Sequence, residues 1–184
     1  MTKSANSAPI QHLSLQVREV EQLFNSMDPT PFLNKDLDPD AETFIETWAS
    51  GFAPGSRFHI TIHIEQWPLV GDPSEVLIGA IHNHFSYKAE RTRSVLKHFL
   101  QEGRTSLIIG IVFVTLCLLV ADYIGKLDTQ TIQHTIARES LTIVGWVAMW
   151  RPIQVFLYDW WPLQRQIRLY QKLSSAHIKV TQGK

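Results

Sequence analysis

An uncharged apolar run constrains this chain more than any other feature of its sequence. From Thr105 to Ala121 it reads TSLIIGIVFVTLCLLVA, and no charged residue interrupts it. Extended to Ile124, the run reaches the ~20 residues that a helix needs to cross a hydrocarbon core of ~30 Å. A soluble protein of 184 residues is too small to bury a helix that is apolar all round. The run therefore predicts a membrane-spanning helix.

A second apolar segment follows, but it contains a charge. It reads SLTIVGWVAMW before Arg151 and IQVFLY between Pro152 and Asp159. Neither piece is long enough to cross a bilayer, whereas residues 140 to 161 together are. Two arrangements stay open. One is a single spanning helix with the remainder in solution, and the other is a transmembrane hairpin with spans at about 105–124 and 140–161.

The distribution of basic residues favours the hairpin. Basic side chains flank the two spans on their outer sides: Lys88, Arg91, Arg93, Lys97 and Arg104 before the first, and Arg165, Arg168, Lys172, Lys179 and Lys184 after the second. The loop between the spans offers only Lys126 and Arg138, balanced by Asp122 and Asp128. Because cytoplasmic flanks carry an excess of lysine and arginine, both termini are predicted to be cytoplasmic. The N-terminus has no apolar core of signal-peptide length, which agrees with that orientation.

Arg151 and Pro152 lie deep in the second span. At 1.5 Å per residue Arg151 is about 13 Å from the cytoplasmic end of the span, where a charge costs about 2.5–3.5 kcal/mol on insertion scales. Pro152 cannot donate to the carbonyl of Ala148, so it frees an acceptor and kinks the helix. On a straight helix Asp159 is two turns away, and we expect it to be poorly placed to pair with Arg151.

Three interpretations of this intramembrane charge stay open. The guanidinium could reach a neighbouring carbonyl, water or a lipid phosphate. It could instead pair with an acid across a helix interface, in this chain or in another subunit. Alternatively, Pro152 could form a corner that places residues 153–173 along the membrane surface.

Aromatic and basic residues follow at the cytoplasmic end of the second span. Tyr158, Trp160 and Trp161 are predicted to form an interfacial aromatic belt. Beyond them an apolar stripe recurs at helical spacing, formed by Leu163, Ile167, Tyr170 and Leu173. The basic residues of the opposite arc are Arg165, Arg168 and Lys172. A basic amphipathic helix beside a span is typical of contact with anionic lipid, although packing on the cytoplasmic region or on a partner would give the same pattern.

The first 103 residues predict a small cytoplasmic region of the α+β class. Three Asp-Pro pairs, at residues 28–29, 38–39 and 72–73, are helix start signals, because aspartate caps helices that begin with proline. FHITIHIE, residues 58–65, alternates strictly and predicts a strand, and HLSLQVR, residues 12–18, is expected to pair with it. With a helix in REVEQLFNSM, the order is β-α-α-β-α, and the last helix leads into the first span.

Two strands alone make a sheet of marginal stability in water. We therefore expect another copy, a partner chain or the membrane-proximal helix to complete the sheet. This expectation points to oligomerisation more strongly than any motif does.

Four histidines within 26 residues raise the hypothesis of a metal site. His59 and His63 share one face of the FHITIHIE strand, but residues i and i+4 of a strand are about 13 Å apart, so one ion cannot bind both. His82 and His84 point about 200° apart on a helix and do not converge. Imidazole suits zinc, copper, iron and nickel, yet this spacing favours structural or solvated histidines.

Composition and motifs exclude several classes of function. Basic and acidic residues both number 17, so the chain has no net charge and no global support for a nucleic-acid partner. The single cysteine, Cys117, excludes a disulfide within one chain. No G-x-S-x-G, phosphate-binding glycine loop or H-E-x-x-H is present. We predict no catalytic residue and no cofactor.

Two stretches carry a resemblance to known proteins: MDPTPFLNKDLDPDAETFIETWA and GWVAMWRPIQVFLYDWWP. Together they resemble a family of small bacterial two-pass inner-membrane proteins with a cytoplasmic N-terminal region. The resemblance covers about two-thirds of the chain. It implies an inner-membrane location and brings no activity or catalytic residues with it.

The sequence thus predicts three regions. They are a cytoplasmic α+β region at 1–103, a transmembrane hairpin at 104–162 and a basic amphipathic cytoplasmic tail at 163–184. The leading hypothesis is a non-enzymatic two-pass membrane protein, an oligomeric scaffold or accessory subunit that binds another copy or another membrane protein. The alternatives are a small channel or transporter component in which Arg151 faces an aqueous path and, third, a histidine-based metal-binding or sensing protein.

Overall fold

The structure is a computed structural model that describes residues 9–25, 35–67, 72–126 and 132–183. It is mostly helical, with a small three-stranded sheet and two long apolar helices, which agrees with the α+β class predicted from the sequence. Two compact units divide the chain. We call residues 1–92 with 165–184 the sheet unit, and residues 93–164 the hairpin unit.

The regular elements are a sheet and four α-helices. The strands are β1 (Ile10–Val17), β2 (Arg57–Ile64) and β3 (His177–Gln182). The helices are α1 (Pro39–Ser50), α2 (Ser74–Lys126), α3 (Ile132–Gln154) and α4 (Trp160–Leu173). A short 3-10 helix, Val20–Leu23, stands where a helix was expected after β1, and a π-helix, Val155–Asp159, joins α3 to α4.

The sheet is completed by this chain itself. Its order is β1-β2-β3, and both pairs of strands are parallel. The premise that the sheet has only two strands is therefore wrong, and the oligomerisation expected from that premise stays a prediction. The sequence prediction treated residues 163–184 as a separate tail, whereas residues 165–184 belong to the sheet unit and end in β3.

Aspartate caps account for two helix starts. The Asp38 side chain accepts a hydrogen bond of 2.9 Å from the Asp40 amide, and α1 begins at Pro39 as predicted. The Asp72 carboxylate accepts from the Ser74 amide at 2.9 Å, where α2 begins. Hydrogen bonding from the Ser74 side chain, together with this amide bond, lowers the pKa of Asp72. The third pair, at residues 28–29, lies outside the described residues.

One face of the sheet carries the core of the sheet unit. Ile60, Ile62 and Ile64 of β2 are almost fully buried and alternate with polar residues on the other face. The same core contains buried side chains of the helices, among them Ile45 of α1, Leu77, Ile81 and Phe85 of α2, and Tyr170 and Leu173 of α4. Two residues of the apolar stripe of α4, Tyr170 and Leu173, are thus part of this core, which is the packing alternative to lipid contact.

The hairpin unit holds together along a narrow seam of small residues. In α2, Gly103, Gly110 and Cys117 are buried at a spacing of seven residues, the repeat of helices packed as in a coiled coil. A Cβ on Gly110 would lie 3.1 Å from the Met149 sulfur, and one on Gly103 would lie 2.6 Å from Cγ1 of Val155. A Cβ at Gly103 would therefore clash with Val155, whereas one at Gly110 would require the Met149 side chain to shift by a few tenths of an ångström.

Outside this seam the hairpin unit is apolar and exposed. Two helical stretches, Ser74–Lys126 and Thr135–Leu173, are long and apolar enough to cross a membrane, and only 17% of the most apolar window of each is buried. Exposed side chains include Ile109, Val112, Leu119 and Trp150. A surface of this kind is costly in water and suits an apolar surrounding.

Gly103→Ala should destabilise the hairpin unit. The added methyl group meets the short, stiff side chain of Val155, and such overpacking costs about 1–3 kcal/mol, more than the ~1 kcal/mol that alanine gains over glycine in a helix. Thermal unfolding in detergent, followed by circular dichroism, measures the change. Gly125→Ala is the matched control, because its Cβ would meet nothing nearer than 3.8 Å. Adding Val155→Ala should restore stability to Gly103→Ala, and a double variant no better than the single one would contradict the seam.

Ile178→Ala should loosen the whole sheet unit, because Ile178 of β3 is buried in the common core. Truncating a buried isoleucine costs about 2–5 kcal/mol. Hydrogen exchange of the β2 amides in the full-length protein should accelerate accordingly. The adjacent Lys179→Ala is the control, since Lys179 is exposed and a surface change stays within about 0.5 kcal/mol. Unchanged exchange in Ile178→Ala would mean that β3 does not stabilise the sheet.

Candidate functional site

Arg151 and Asp159 form an ion pair in the hairpin unit. The Nη1 atom of Arg151 lies 3.8 Å from Oδ2 of Asp159. The arginine side chain is 68% exposed and that of Asp159 is 28% exposed. At 3.8 Å the contact is an ion pair and too long for a hydrogen bond. The expectation that Asp159 is poorly placed for Arg151 is therefore wrong.

The π-helix between the two residues explains their meeting. On an ideal α-helix eight residues turn through about 800°, which leaves Asp159 some 80° from the face of Arg151. A π-turn closes i→i+5 bonds and so holds one extra residue. Asp159 is the last residue of this turn and lags by up to about 100°, which brings it to within about 20° of the face of Arg151. The sequence prediction assumed an unbroken α-helix.

Pro152 lies inside α3 and does not form a corner. Helical residues precede and follow it, and its ring is almost fully buried. A Cβ on Gly110 would lie 3.5 Å from its Cγ atom, so the proline packs at the glycine seam. After the π-turn, the indole Nε1 of Trp160 donates a hydrogen bond of 2.9 Å to the carbonyl of Phe156. This bond satisfies a backbone acceptor of the irregular turn, as an apolar surrounding requires.

Arg151 shares an exposed face of α3 with Val147 and Trp150. Positions i, i+3 and i+4 of a helix are neighbours on one side, and these side chains are 67%, 72% and 68% exposed for Val147, Trp150 and Arg151 respectively. The face combines an aromatic ring, an aliphatic side chain and a guanidinium with five N–H donors. Arginine and tryptophan are the residue types most enriched at the centres of protein interfaces.

The residues predicted at the membrane interface fall into both units. In the hairpin unit Tyr158 and Trp161 are 69% and 63% exposed, and the Trp160 and Trp161 rings are 5.9 Å apart. In the sheet unit Arg165 and Arg168 are exposed. Lys172 is also in the sheet unit, where it is hydrogen-bonded to the backbone.

Lys172 binds the loop that precedes β2. Its Nζ atom donates to the carbonyls of Pro54 and Ser56, the latter at 3.3 Å, and lies 5.9 Å from the centroid of the Phe58 ring. These contacts within the sheet unit explain the position of the Lys172 side chain. Arg165 and Arg168 remain the basic side chains of this helix that face outward.

A polar network joins α1, α2 and α4 in the sheet unit. Lys88 pairs with Glu42 and with Glu46, whose Oε1 atom is 2.5 Å from its Nζ. The Tyr170 hydroxyl donates to Oε2 of Glu46 at 3.4 Å, and Lys88 lies 5.2 Å from the centroid of the same tyrosine ring. The network was not anticipated, because its members are far apart in the sequence.

Burial shifts the pKa values of three side chains in this network. It lowers the pKa of Lys88, with help from Arg91, and raises the pKa of Glu46. Burial, with the neighbouring Glu46 carboxylate, also raises the pKa of Tyr170 to about 12. The Tyr170 hydroxyl therefore stays protonated at neutral pH and acts as a hydrogen-bond donor rather than as an acid.

His84 extends the network at its buried end. Its Nε2 atom is 3.0 Å from Oε2 of Glu42, its Nδ1 atom accepts from the Leu37 amide at 3.4 Å, and Oδ1 of Asp36 is 3.2 Å from Nδ1. Burial lowers the pKa of His84, and the Asp36 carboxylate opposes that shift. A neutral ring that donates through Nε2 fits the bonds to Leu37 and Glu42.

The histidines proposed as weak metal candidates do not come together. His82 binds the Ala176 carbonyl at 2.9 Å, His63 contacts the Thr181 hydroxyl at 2.8 Å, and His84 belongs to the network above. His59 instead stands beside His12 and His177 on the sheet. Within the described ranges, no three or more His, Cys, Asp or Glu side chains are grouped so that they could hold one metal ion.

Comparison with models of protein families, with curated proteins and with solved structures finds no match to this chain. The resemblance to small two-pass inner-membrane proteins therefore stays a prediction. Geometry alone carries the proposals that follow.

His84 should make the sheet unit less stable in acid. Its folded pKa lies below its ordinary value of 6.5, so below that pH the unfolded chain binds more protons and stability falls as pH falls toward the folded pKa. Opening free energies of β2 amides, from hydrogen exchange between pH 7.5 and 5.5, should show this fall in the wild type. The fall should be smaller in His84→Gln. His98→Gln, an exposed change in the hairpin unit, is the control and should match the wild type.

Proposed function

We propose that this chain is a non-enzymatic, two-pass integral membrane protein that assembles with a second membrane-spanning chain through the face around Arg151. In the simplest case the second chain is another copy, and in the alternative it is a different membrane protein for which this chain is an accessory subunit. We further propose that it resides in the bacterial inner membrane with both termini in the cytoplasm.

The pairing of β2 with β3 supports the two-pass arrangement. β2 precedes both apolar helices in the chain, and β3 follows both. Paired strands lie on the same side of a membrane, because backbone of this kind cannot extend through the hydrocarbon core. If the first apolar helix crosses, the second must return. A single span with the rest of the chain in solution does not fit this pairing.

The face of Val147, Trp150 and Arg151 supports assembly, and it is the observation that carries the proposal. Arg151 has five N–H donors, and in the described part of the chain Asp159 is its one ion-pair partner. A guanidinium facing hydrocarbon is costly, which is why such residues usually face protein or water. Trp150 stands within the span rather than at its end, where membrane tryptophans concentrate. A neighbouring helix that offers carbonyl or carboxylate oxygens would cover both residues.

Arg165 and Arg168 support contact with anionic lipid. Both are exposed on α4, whose residues Ile167, Tyr170 and Leu173 are buried. A lipid phosphate near each arginine would contribute about 1 kcal/mol. This contact would add to the anchoring that the two apolar helices supply.

Arg151→Leu should abolish the assembly while leaving the fold intact. Leucine removes the donors that a second chain would engage, and it lowers the cost of exposing this face to lipid. Multi-angle light scattering of the detergent-purified protein should show an oligomer or complex for the wild type and a monomer for the variant. Arg104→Leu, a change of the same chemistry at another exposed arginine of the hairpin unit, should leave the mass unchanged. A wild-type monomer with no co-purifying chain would contradict the proposal.

A small channel or transporter component is the second candidate, with Arg151 beside an aqueous path. The Arg151–Asp159 pair favours it to the extent that ion pairs inside membranes often line such paths. The same variant separates the two functions. Lost flux in reconstituted vesicles with an unchanged mass would favour conduction, and a lost oligomer would favour assembly.

A further inference from the structure

Three histidines form a row across the outer face of the sheet. His12 of β1, His59 of β2 and His177 of β3 are register partners on adjacent strands. The His12 and His59 ring centroids are 5.2 Å apart, and those of His59 and His177 are 4.9 Å apart. We call these residues the histidine row. The sequence does not reveal the row, because His59 is 47 residues from His12 and 118 residues from His177, and the three meet only through strand pairing.

The rings of the histidine row are available to a ligand, unlike the other histidines of the sheet unit. His63, His82 and His84 are each hydrogen-bonded to groups of their own chain. In the part of the chain that the structure describes, the three rings of the row contact only one another through ring packing. His12 and His177 are exposed and His59 is half-buried, so solvent reaches the row.

The open face itself is unusual for a parallel sheet. Parallel sheets in proteins are generally covered on both faces. Here the outer face carries polar side chains that are exposed or half-buried, including Ser14, Thr61 and Lys179 beside the histidine row. A polar face of this kind suits a ligand or partner better than a second apolar layer.

The ring separations match a shared metal ion. A zinc ion binds imidazole nitrogen at 2.0–2.1 Å and so lies about 3.2 Å from the ring centroid, since the nitrogen is about 1.1 Å from the centroid. At a tetrahedral angle two such centroids are about 5.2 Å apart. The separations of 5.2 and 4.9 Å agree with this value. His12 and His177 lie on opposite sides of His59, so one ion binds His59 and one neighbour, not all three.

We propose that the histidine row binds a divalent transition metal ion of the zinc, copper or nickel class, held by His59 together with His12 or His177. Imidazole is a preferred ligand of these metals. Only two protein ligands reach the ion at a time, which accounts for the absence of a three-residue set noted above. Water or a donor from another molecule fills the remaining positions on the open face.

The surroundings of His59, the central residue of the histidine row, favour its role as a metal ligand. Partial burial, the neighbouring His177 and His12 rings and Arg57 all lower the pKa of His59. A metal ion binds imidazole through a nitrogen that carries no proton, so surroundings that disfavour protonation suit a metal ligand. Arg57 is two residues from His59 and Lys179 is two residues from His177 along their strands, so both are on the face of the row. Their positive charge favours an anionic group, such as chloride or a carboxylate, among the other ligands.

Copper binding to the full-length protein tests this proposal. The protein, purified in detergent without a histidine tag, is titrated with Cu²⁺ and with Zn²⁺, and electron spin-echo spectroscopy of the Cu²⁺ form counts the coordinated imidazoles. We expect one ion bound by two imidazoles. His59→Gln should weaken binding at least about tenfold, because even the loss of a second-shell partner costs about 10–100-fold in affinity.

The neighbouring variants sharpen the test. His12→Gln or His177→Gln alone should leave binding largely intact, because the other neighbour still pairs with His59, whereas the double variant should match His59→Gln. His63→Gln is the control, since His63 is on the same strand and face but outside the row. Equal binding by His59→Gln and the wild type, an equal loss in His63→Gln, or no binding at all would overturn the proposal. Unchanged hydrogen exchange of β2 amides in each variant excludes a loss of fold.

Discussion

Pairing between β2 and β3 is the interaction on which the rest of the structure depends. Six residue pairs, from His59↔His177 to Ile64↔Gln182, join strands that stand on either side of both apolar helices in the sequence. The pairing gives β2 a neighbour on each side and lets α1, α2 and α4 share one core. It also requires an even number of membrane crossings between the two strands, because paired strands share a compartment. The entropy lost when the two strands are brought together grows only slowly with the number of residues between them. A short ladder of strand pairing can therefore offset it.

In the hairpin unit, the π-helix Val155–Asp159 follows the packed Pro152 and brings Asp159 toward Arg151. Pro152 removes a backbone donor and packs where Gly110 leaves room, and a π-turn follows within three residues. Because the turn holds an extra residue, it rotates Asp159 toward Arg151. An arginine that looked unpartnered along a straight helix thereby gains an ion pair, which would offset part of the cost of placing it in a membrane. The pair remains on an exposed surface, and this is why assembly rather than burial within the chain is proposed for it.

Local patterns predicted the elements that depend on neighbouring residues. The strict alternation of FHITIHIE gave β2 to within one residue, and Asp38-Pro39 gave the start of α1. The third strand was missed, because HIKVTQ is short and follows a helix whose basic arc resembles a lipid-contacting surface. Of the candidate histidines, His59 was considered only with His63 of its own strand, and that pair was rejected because the two are about 13 Å apart. Residues on one strand are too far apart to share a ligand, and the register that joins His59 to His12 and His177 is a property of strand pairing.

The sequence by itself determined that two helices are long and apolar enough for a membrane and that their outer flanks are basic, because length and polarity are local quantities. It also determined the α+β class and the starts of α1 and α2. Only the tertiary structure decided that the C-terminal residues complete the sheet, that Asp159 faces Arg151, and that three distant histidines stand in a row. These features depend on strand register, helix phase and close packing, which arise from contacts between residues remote in the chain.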